Sequence, residues 1–223
     1  MATLPERRPL LYFITDRKAL PARRGGEGQD VLPVIEAAIR AGVDMIQIRE
    51  RDLPARELLA LVERAIALAA NTPTRILVND RLDVAQAAGI GLHLPAHSFP
   101  VPAVRRRVGR GLLIGASTHN LDELQAAEQG GADFAVFGPV FATSSKPARP
   151  LGGPDYGPPV GLEKLSEAVR AVRIPVLALG GVTLENAKEC LRAGAAGGAA
   201  ISLFQTASDL VALVASLRHL SEH

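Results

Sequence analysis

Polar residues recur at the ends of short apolar runs along the whole chain. Gln47-Ile48-Arg49 ends one run, Asn79-Asp80 another and Ser117-Thr118-His119 a third, while Thr15-Asp16, His93, Gly138, Gly180-Gly181 and Ser202 close the rest. An amide, a guanidinium, a carboxylate and an imidazole on one rim could hold an anionic small molecule and move a proton on it. His119 suits the second task, because an imidazole with a pKa of about 6.5 both accepts and returns a proton at neutral pH. Its place before a helix equally suits capping or ligand binding. Gly180, Gly181, Ile201 and Ser202 suggest a different chemistry. Glycine turns let backbone N–H groups approach an oxyanion closely, and a following helix N-terminus favours negative charge.

The elements that must carry this rim alternate. β-branched runs fall at 10–15, 45–48, 75–78, 91–94, 112–115, 134–137, 175–179 and 199–201. Helix-like stretches lie between them, at 30–41, 54–70, 81–88, 101–108, 121–129, 160–171, 183–193 and 208–219. In 54–70, Leu58, Leu61, Val62, Ala65, Ile66 and Ala69 make one apolar face. The strands are apolar at successive positions, the mark of a parallel sheet covered on both sides. Eight such units predict a closed (β/α)₈ barrel, with an open doubly wound sheet as the alternative. A barrel gathers the C-terminal ends of its strands into one active-site face, and phosphate commonly binds after strands seven and eight. Residues 10–220 are read as one barrel domain behind an N-terminal extension, 1–9. The Pro-, Gly- and Ser-rich loop 141–159 is read as a functional lid.

Composition excludes several classes. The 223 residues include one cysteine and no tryptophan, so neither a disulfide framework nor a cysteine-rich zinc site is available. Cys190, mid-helix, is assigned to packing. With 25 basic and 23 acidic residues the net charge is +2, too balanced for a non-specific DNA binder. A pI near 9.0 still suits an anionic substrate. The run Arg105-Arg106-Arg107 reads as a solvated basic helix end. No apolar stretch approaches the ~20 residues of a membrane span, and the first residues lack a signal-peptide core, so a cytoplasmic protein is expected. His97 and His219 are assigned to the surface, Tyr12 and Phe13 to the core. His93 fits a core position as well as a ligand contact.

Taken in order, Gln47-Ile48-Arg49, Asn79-Asp80-Arg81, Gly91-Leu92-His93-Leu94, Gly115–His119, Gly138–Lys146 and Ala178–Val182 resemble the thiamin phosphate synthase superfamily over residues 10–217. That superfamily also holds thiazole tautomerases, and its members are (β/α)₈ barrels. For a synthase, the resemblance implies that a pyrimidine methyl diphosphate is joined to a thiazole phosphate with loss of diphosphate. Asp80 would then be a Mg²⁺ ligand, and Gln47, Arg49, Asn79 and Lys146 would surround the pyrimidine and diphosphate. Thr143 and Ser145 would contact the thiazole phosphate.

Three positions depart from the synthase pattern: Ser98 replaces the second metal carboxylate, Arg51 an expected lysine, and Ser145 a threonine. The segment His93–Phe99 resembles the tautomerases instead. They move one proton on a phosphorylated thiazole carboxylate without a metal, with His119 as the implied shuttle and Ser98 lining the pocket. A cofactor-free tautomerase is therefore the leading expectation and a Mg²⁺-dependent synthase the alternative. A non-catalytic ligand-sensing barrel is a third. A thiazole phosphate ligand is expected, nucleic acid and membrane partners are not, and a homodimer is compatible with the sequence.

Overall fold

The computed structural model describes residues 3–20, 30–142 and 158–220. Eight parallel strands close into a barrel in chain order, β1 pairing with both β2 and β8. They are β1 (Leu10–Ile14), β2 (Met45–Ile48), β3 (Arg75–Asn79), β4 (Gly91–Leu94), β5 (Ile114–Thr118), β6 (Phe134–Phe137), β7 (Val176–Leu179) and β8 (Gly197–Ala200). The expected (β/α)₈ fold is present, and closure removes the open-sheet alternative.

Outside the barrel lie α1 (Leu32–Ala41), α2 (Ala55–Ala69), α3 (Leu82–Ala88), α4 (Val101–Val108), α5 (Leu121–Gln129), α6 (Gly161–Ala171), α7 (Leu184–Arg192), α8 (Ser202–Gln205) and α9 (Leu210–His219). None of the helices among the described residues is long and apolar enough to cross a membrane.

Two apolar layers explain why the strands show no alternation. Leu10, Tyr12 and Ile14 point into the barrel with Met45, Leu77, Phe134, Val136 and Leu177. Leu11 and Phe13 point outward into the helix layer, with Ile46, Ile48, Leu58 and Val62. Both faces are therefore dry, and every β1 side chain is buried. Tyr12 meets Phe134 edge-on at 5.4 Å inside the barrel.

Two strands differ from expectation by more than one residue at an end. β5 runs to Thr118 rather than ending at Gly115, because Ser117 and Thr118 extend it with polar side chains; Thr118 Oγ1 donates to the Val136 carbonyl at 3.1 Å. β8 begins at Gly197, where no side chain signals a strand. A Cβ on Gly197 would stand 1.9 Å from the Leu10 carbonyl oxygen, so only glycine lets β8 close against β1. The short helix α8, which the sequence does not announce, follows at once. Gln205 exchanges hydrogen bonds with the Asp16 backbone at 2.7 and 3.1 Å, tying α8 to the exit of β1.

Arg105 is a further correction. It is not a solvated charge: it bonds the carbonyls of Gly109, Leu112 and Gly131 and pairs with Asp133 at 2.6 Å. Asp133 also accepts from the Ile114 N–H at 2.7 Å, so this pair anchors the start of β5. Arg106 and Arg107 are exposed as expected. Cys190 is buried and its thiol is pushed up to about 11 by that burial, consistent with packing.

Candidate active site

The C-terminal ends of the strands surround a cleft of about 110 Å³. Its walls bring together Gln47, Arg49, Asn79, His93, Ser117, His119, Gly180, Gly181, Ile201 and Ser202, all from the strand ends of the sequence reading. Asp80 and Ser98 are not in this cleft. They line an adjoining cavity of about 390 Å³, with Glu50, Arg81 and His97. The two spaces share Arg51, Asn79 and Pro95 as a common wall. His97 is exposed as expected, yet forms part of that second cavity. Thr143, Ser145, Lys146 and most of the 141–159 loop lie outside the described residues.

The glycine wall is built by two loops in contact. Val140 donates to the Leu179 carbonyl at 2.8 Å and Phe141 to the Gly180 carbonyl at 3.0 Å. Gly181 has φ +63°, and a Cβ there would lie 2.4 Å from the Ala142 carbonyl oxygen. Asn186 holds the Gly181 carbonyl at 2.9 Å while closing a capping box with Thr183 at the start of α7. Opposite Gly181, Ile201 and Ser202 open α8. This wall is concave and ends in backbone at two helix starts, a suitable cradle for a phosphate.

Across the cleft, Arg49 is mostly buried and faces Asp16 at 3.6 Å. Its backbone N–H is held by Thr15 Oγ1 at 3.0 Å, and Thr15 in turn donates to Glu50 at 2.6 Å. Burial raises the Glu50 pKa against the lowering effect of these bonds. Asp80 occupies a strained position: its φ is +63°, and the Arg81 N–H closes on the Asn79 carbonyl at 2.8 Å across it. A γ-turn of this hand is rare for a residue with a Cβ and often marks a functional position. The Ser98 hydroxyl donates to the Asp80 carboxylate.

His119 is gripped by Glu123, whose Oε2 accepts from the His119 N–H at 2.8 Å and contacts Nδ1 at 3.0 Å. With Nδ1 committed to a carboxylate, proton exchange with a ligand would run through Nε2. Glu123 was not read from the sequence, although Asn120-x-x-Glu123 is the spacing of a helix start and Asn120 does cap α5.

His93 resolves as a buried wall of the cleft. Its Nδ1 meets the Tyr12 hydroxyl at 3.2 Å and its Nε2 meets Ser117 Oγ at 2.9 Å. Burial, and then the Arg49 cation, lower its pKa to about 3. Since this is below the unfolded value of about 6.5, folding requires the neutral ring. The contribution is complete above pH 6.5 and is lost as pH falls toward 3, at about 1.4 kcal/mol per pH unit. Urea midpoints between pH 4 and 7 should show this slope, and His93→Gln should remove that one-proton share of it.

A family model described as thiamine monophosphate synthase matches residues 11–204. The chain belongs to that family. A putative thiamine-phosphate synthase of Geobacter sulfurreducens is 45% identical, covering 86% of this chain and 84% of its own. The thiamine-phosphate synthase of Roseiflexus castenholzii is 39% identical over 92% of this chain and 85% of its own. The solved thiamine phosphate pyrophosphorylase from Pyrococcus furiosus superposes with a TM-score of 0.79 at 32% identity, covering 96% of each chain. Family membership places the chain in thiamin biosynthesis and accounts for the order of the rim motifs. These relatives are named for thiamine-phosphate synthase or pyrophosphorylase, and none of the three for a tautomerase.

Proposed function

We propose that this family member is a thiamin phosphate synthase, joining a pyrimidine methyl diphosphate to a thiazole phosphate and releasing diphosphate. The observation that carries this reading is the pair of adjoining spaces with a shared wall of Arg51 and Asn79. A transfer between two substrates needs room for a second molecule and its diphosphate; a proton shift on one substrate needs no such space. Gly180, Gly181, Ile201 and Ser202 would cradle the thiazole phosphate. Gln47, Arg49, Asn79 and His93 would hold the pyrimidine, whose diphosphate would extend into the second cavity. Arg51, on the shared wall, would stand beside the leaving group, and a fixed cation there would lower the barrier to its departure.

The family's Mg²⁺ would supply further charge neutralisation. Among the described residues, no group of three His, Cys, Asp or Glu side chains could hold a metal. Magnesium is, however, commonly bound by one or two carboxylates together with substrate phosphates. Asp80 supplies one carboxylate and Ser98 a neutral oxygen beside it, a donor set that fits only with the substrate diphosphate completing it. Coupling should therefore need more Mg²⁺ than a two-carboxylate site would. Ser98→Asp should lower the half-saturating Mg²⁺ concentration about tenfold, as one added ligand charge worth roughly 1.4 kcal/mol implies. An unchanged Mg²⁺ requirement would place the ion elsewhere.

Two observations favour a second reading as a thiazole tautomerase. Ser98 removes a carboxylate that only the synthase needs, and the His119–Glu123 pair is built for proton transfer. Product analysis separates the two: thiamin phosphate and diphosphate from the paired substrates for the synthase, deuterium incorporation into a thiazole carboxylate phosphate in heavy water for the tautomerase. Under the tautomerase reading, His119→Ala abolishes the exchange. Under the synthase reading, it changes binding without removing turnover.

A further inference from the structure

A line of four side chains crosses the cleft wall from β2 to β5. Gln47 Nε2 donates to the Tyr12 hydroxyl at 2.8 Å, that hydroxyl meets His93 Nδ1 at 3.2 Å, and His93 Nε2 meets Ser117 Oγ at 2.9 Å. Gln47, His93 and Ser117 all line the cleft, whereas Tyr12 does not and is fully buried. The phenol is thus behind the wall, joined to two residues that face the ligand.

Each group in the line has a limited choice. A Tyr12 oxygen that accepts from Gln47 keeps its own proton to donate, and His93 Nδ1 is its acceptor. A neutral imidazole has one donor and one acceptor, so Nδ1 as acceptor makes Nε2–H the donor, directed at Ser117 Oγ. The Ser117 proton is then directed into the cleft. At the other end, with Nε2 turned to Tyr12, Gln47 presents its carbonyl oxygen. Arg49 lines the same cleft, and its cation favours that oxygen over an amide NH₂. Turning the Gln47 amide over would reverse every bond, so the four residues have two collective settings.

We propose that Tyr12 is a positioning residue that transmits a single hydrogen-bond direction from Gln47 to Ser117, so that the cleft shows its ligand an acceptor at Gln47, at one end of the line, and a donor at Ser117, at the other. The complementary ligand is a neutral ring that offers a donor toward Gln47 and an acceptor toward Ser117. His93 is buried, and its two ring nitrogens are taken up by Tyr12 and Ser117, so the line runs without interruption. The arrangement itself does not depend on the synthase reading; only the name of the ring does.

The test is the ring tautomer of His93, read from ¹⁵N-histidine NMR of the ligand-free protein. The expected spectrum is a neutral Nε2–H tautomer unchanged from pH 5 to 8. An Nδ1–H tautomer, or a ring that protonates in that range, overturns the proposal. Tyr12→Phe should convert His93 to a mixture of tautomers. It should also raise the KM for the pyrimidine diphosphate about tenfold, the value of one lost hydrogen bond, with kcat changed less than about threefold. An unchanged tautomer in that variant, or an equal loss in kcat, contradicts a positioning role. The wild-type spectrum requires neither turnover nor the variant, so failure of the synthase reading or of Tyr12→Phe folding leaves that decision intact.

Discussion

Replacing Gly181 by alanine is expected to reduce kcat/KM about 100-fold while the barrel remains folded, because a displacement of about 1 Å in a binding wall is enough for that loss. The added Cβ would lie 2.4 Å from the Ala142 carbonyl oxygen and 2.8 Å from Phe141 Cβ. Neither contact is the far end of a flexible side chain. The residue would also have to hold φ +63°, which costs an L-residue about 1–3 kcal/mol. The loop therefore moves, and the phosphate cradle moves with it. Steady-state kinetics with each substrate varied in turn, alongside circular dichroism, checks both halves. The loss should appear mainly in the KM for the thiazole phosphate. Wild-type kinetics in Gly181→Ala would remove the glycine wall from the site.

The largest stability effect is expected at the opposite end of the barrel. Arg218 of α9 pairs with Asp44 at 2.8 Å, reaches the Gly42 carbonyl at 3.0 Å and bonds the Pro9 carbonyl. Asp44 also accepts from the Leu11 N–H at 2.7 Å, so a single buried carboxylate joins α9, β1 and the approach to β2. Arg218→Ala leaves that carboxylate buried without its cation. Breaking such a pair typically costs about 3–5 kcal/mol, which lowers Tm by roughly 10 °C in a domain of this size. The double variant Arg218→Met with Asp44→Asn should recover most of the loss, because the uncompensated charge is gone while the Leu11 bond can persist. Calorimetry on the three proteins is the check. Activity of the double variant should stay near wild type, since the pair is remote from the cleft.

The fold was legible because the strand signal here does not rely on alternation. Runs such as Leu10–Ile14 and Phe134–Phe137 are apolar throughout, as strands covered on both faces must be. Legibility failed where side chains are absent or polar. Gly197-Gly198 gives no strand signal, and Ser117-Thr118 was placed just beyond the fifth apolar run although it belongs to β5. Arg105 looked like a surface charge because its carbonyl partners, at Gly109, Leu112 and Gly131, are backbone and carry no sequence signal.

In the site, Gln47, Arg49, Asn79, His119 and the glycine wall were found from their positions at strand ends, which a parallel barrel turns to one face. Ser98 was expected in the main cleft and sits instead in the second cavity, bonded to Asp80. The division of the site into two spaces depends on how the β2–α2 and β4–α4 connections fold, and no local pattern encodes that. Glu123 and Tyr12 were missed as site residues for related reasons. Each acts on a cleft residue through a hydrogen bond, at a position whose type also suits a helix start or a core.

The most direct test is a ³¹P NMR time course of the purified protein with the pyrimidine diphosphate, the thiazole phosphate and Mg²⁺. The synthase reading predicts diphosphate and thiamin phosphate appearing in equal amounts, with no diphosphate released when the thiazole phosphate is omitted. Absence of both products at saturating Mg²⁺, from protein that exchanges deuterium into the thiazole carboxylate phosphate, would contradict it and assign the cleft to the proton-shift reaction.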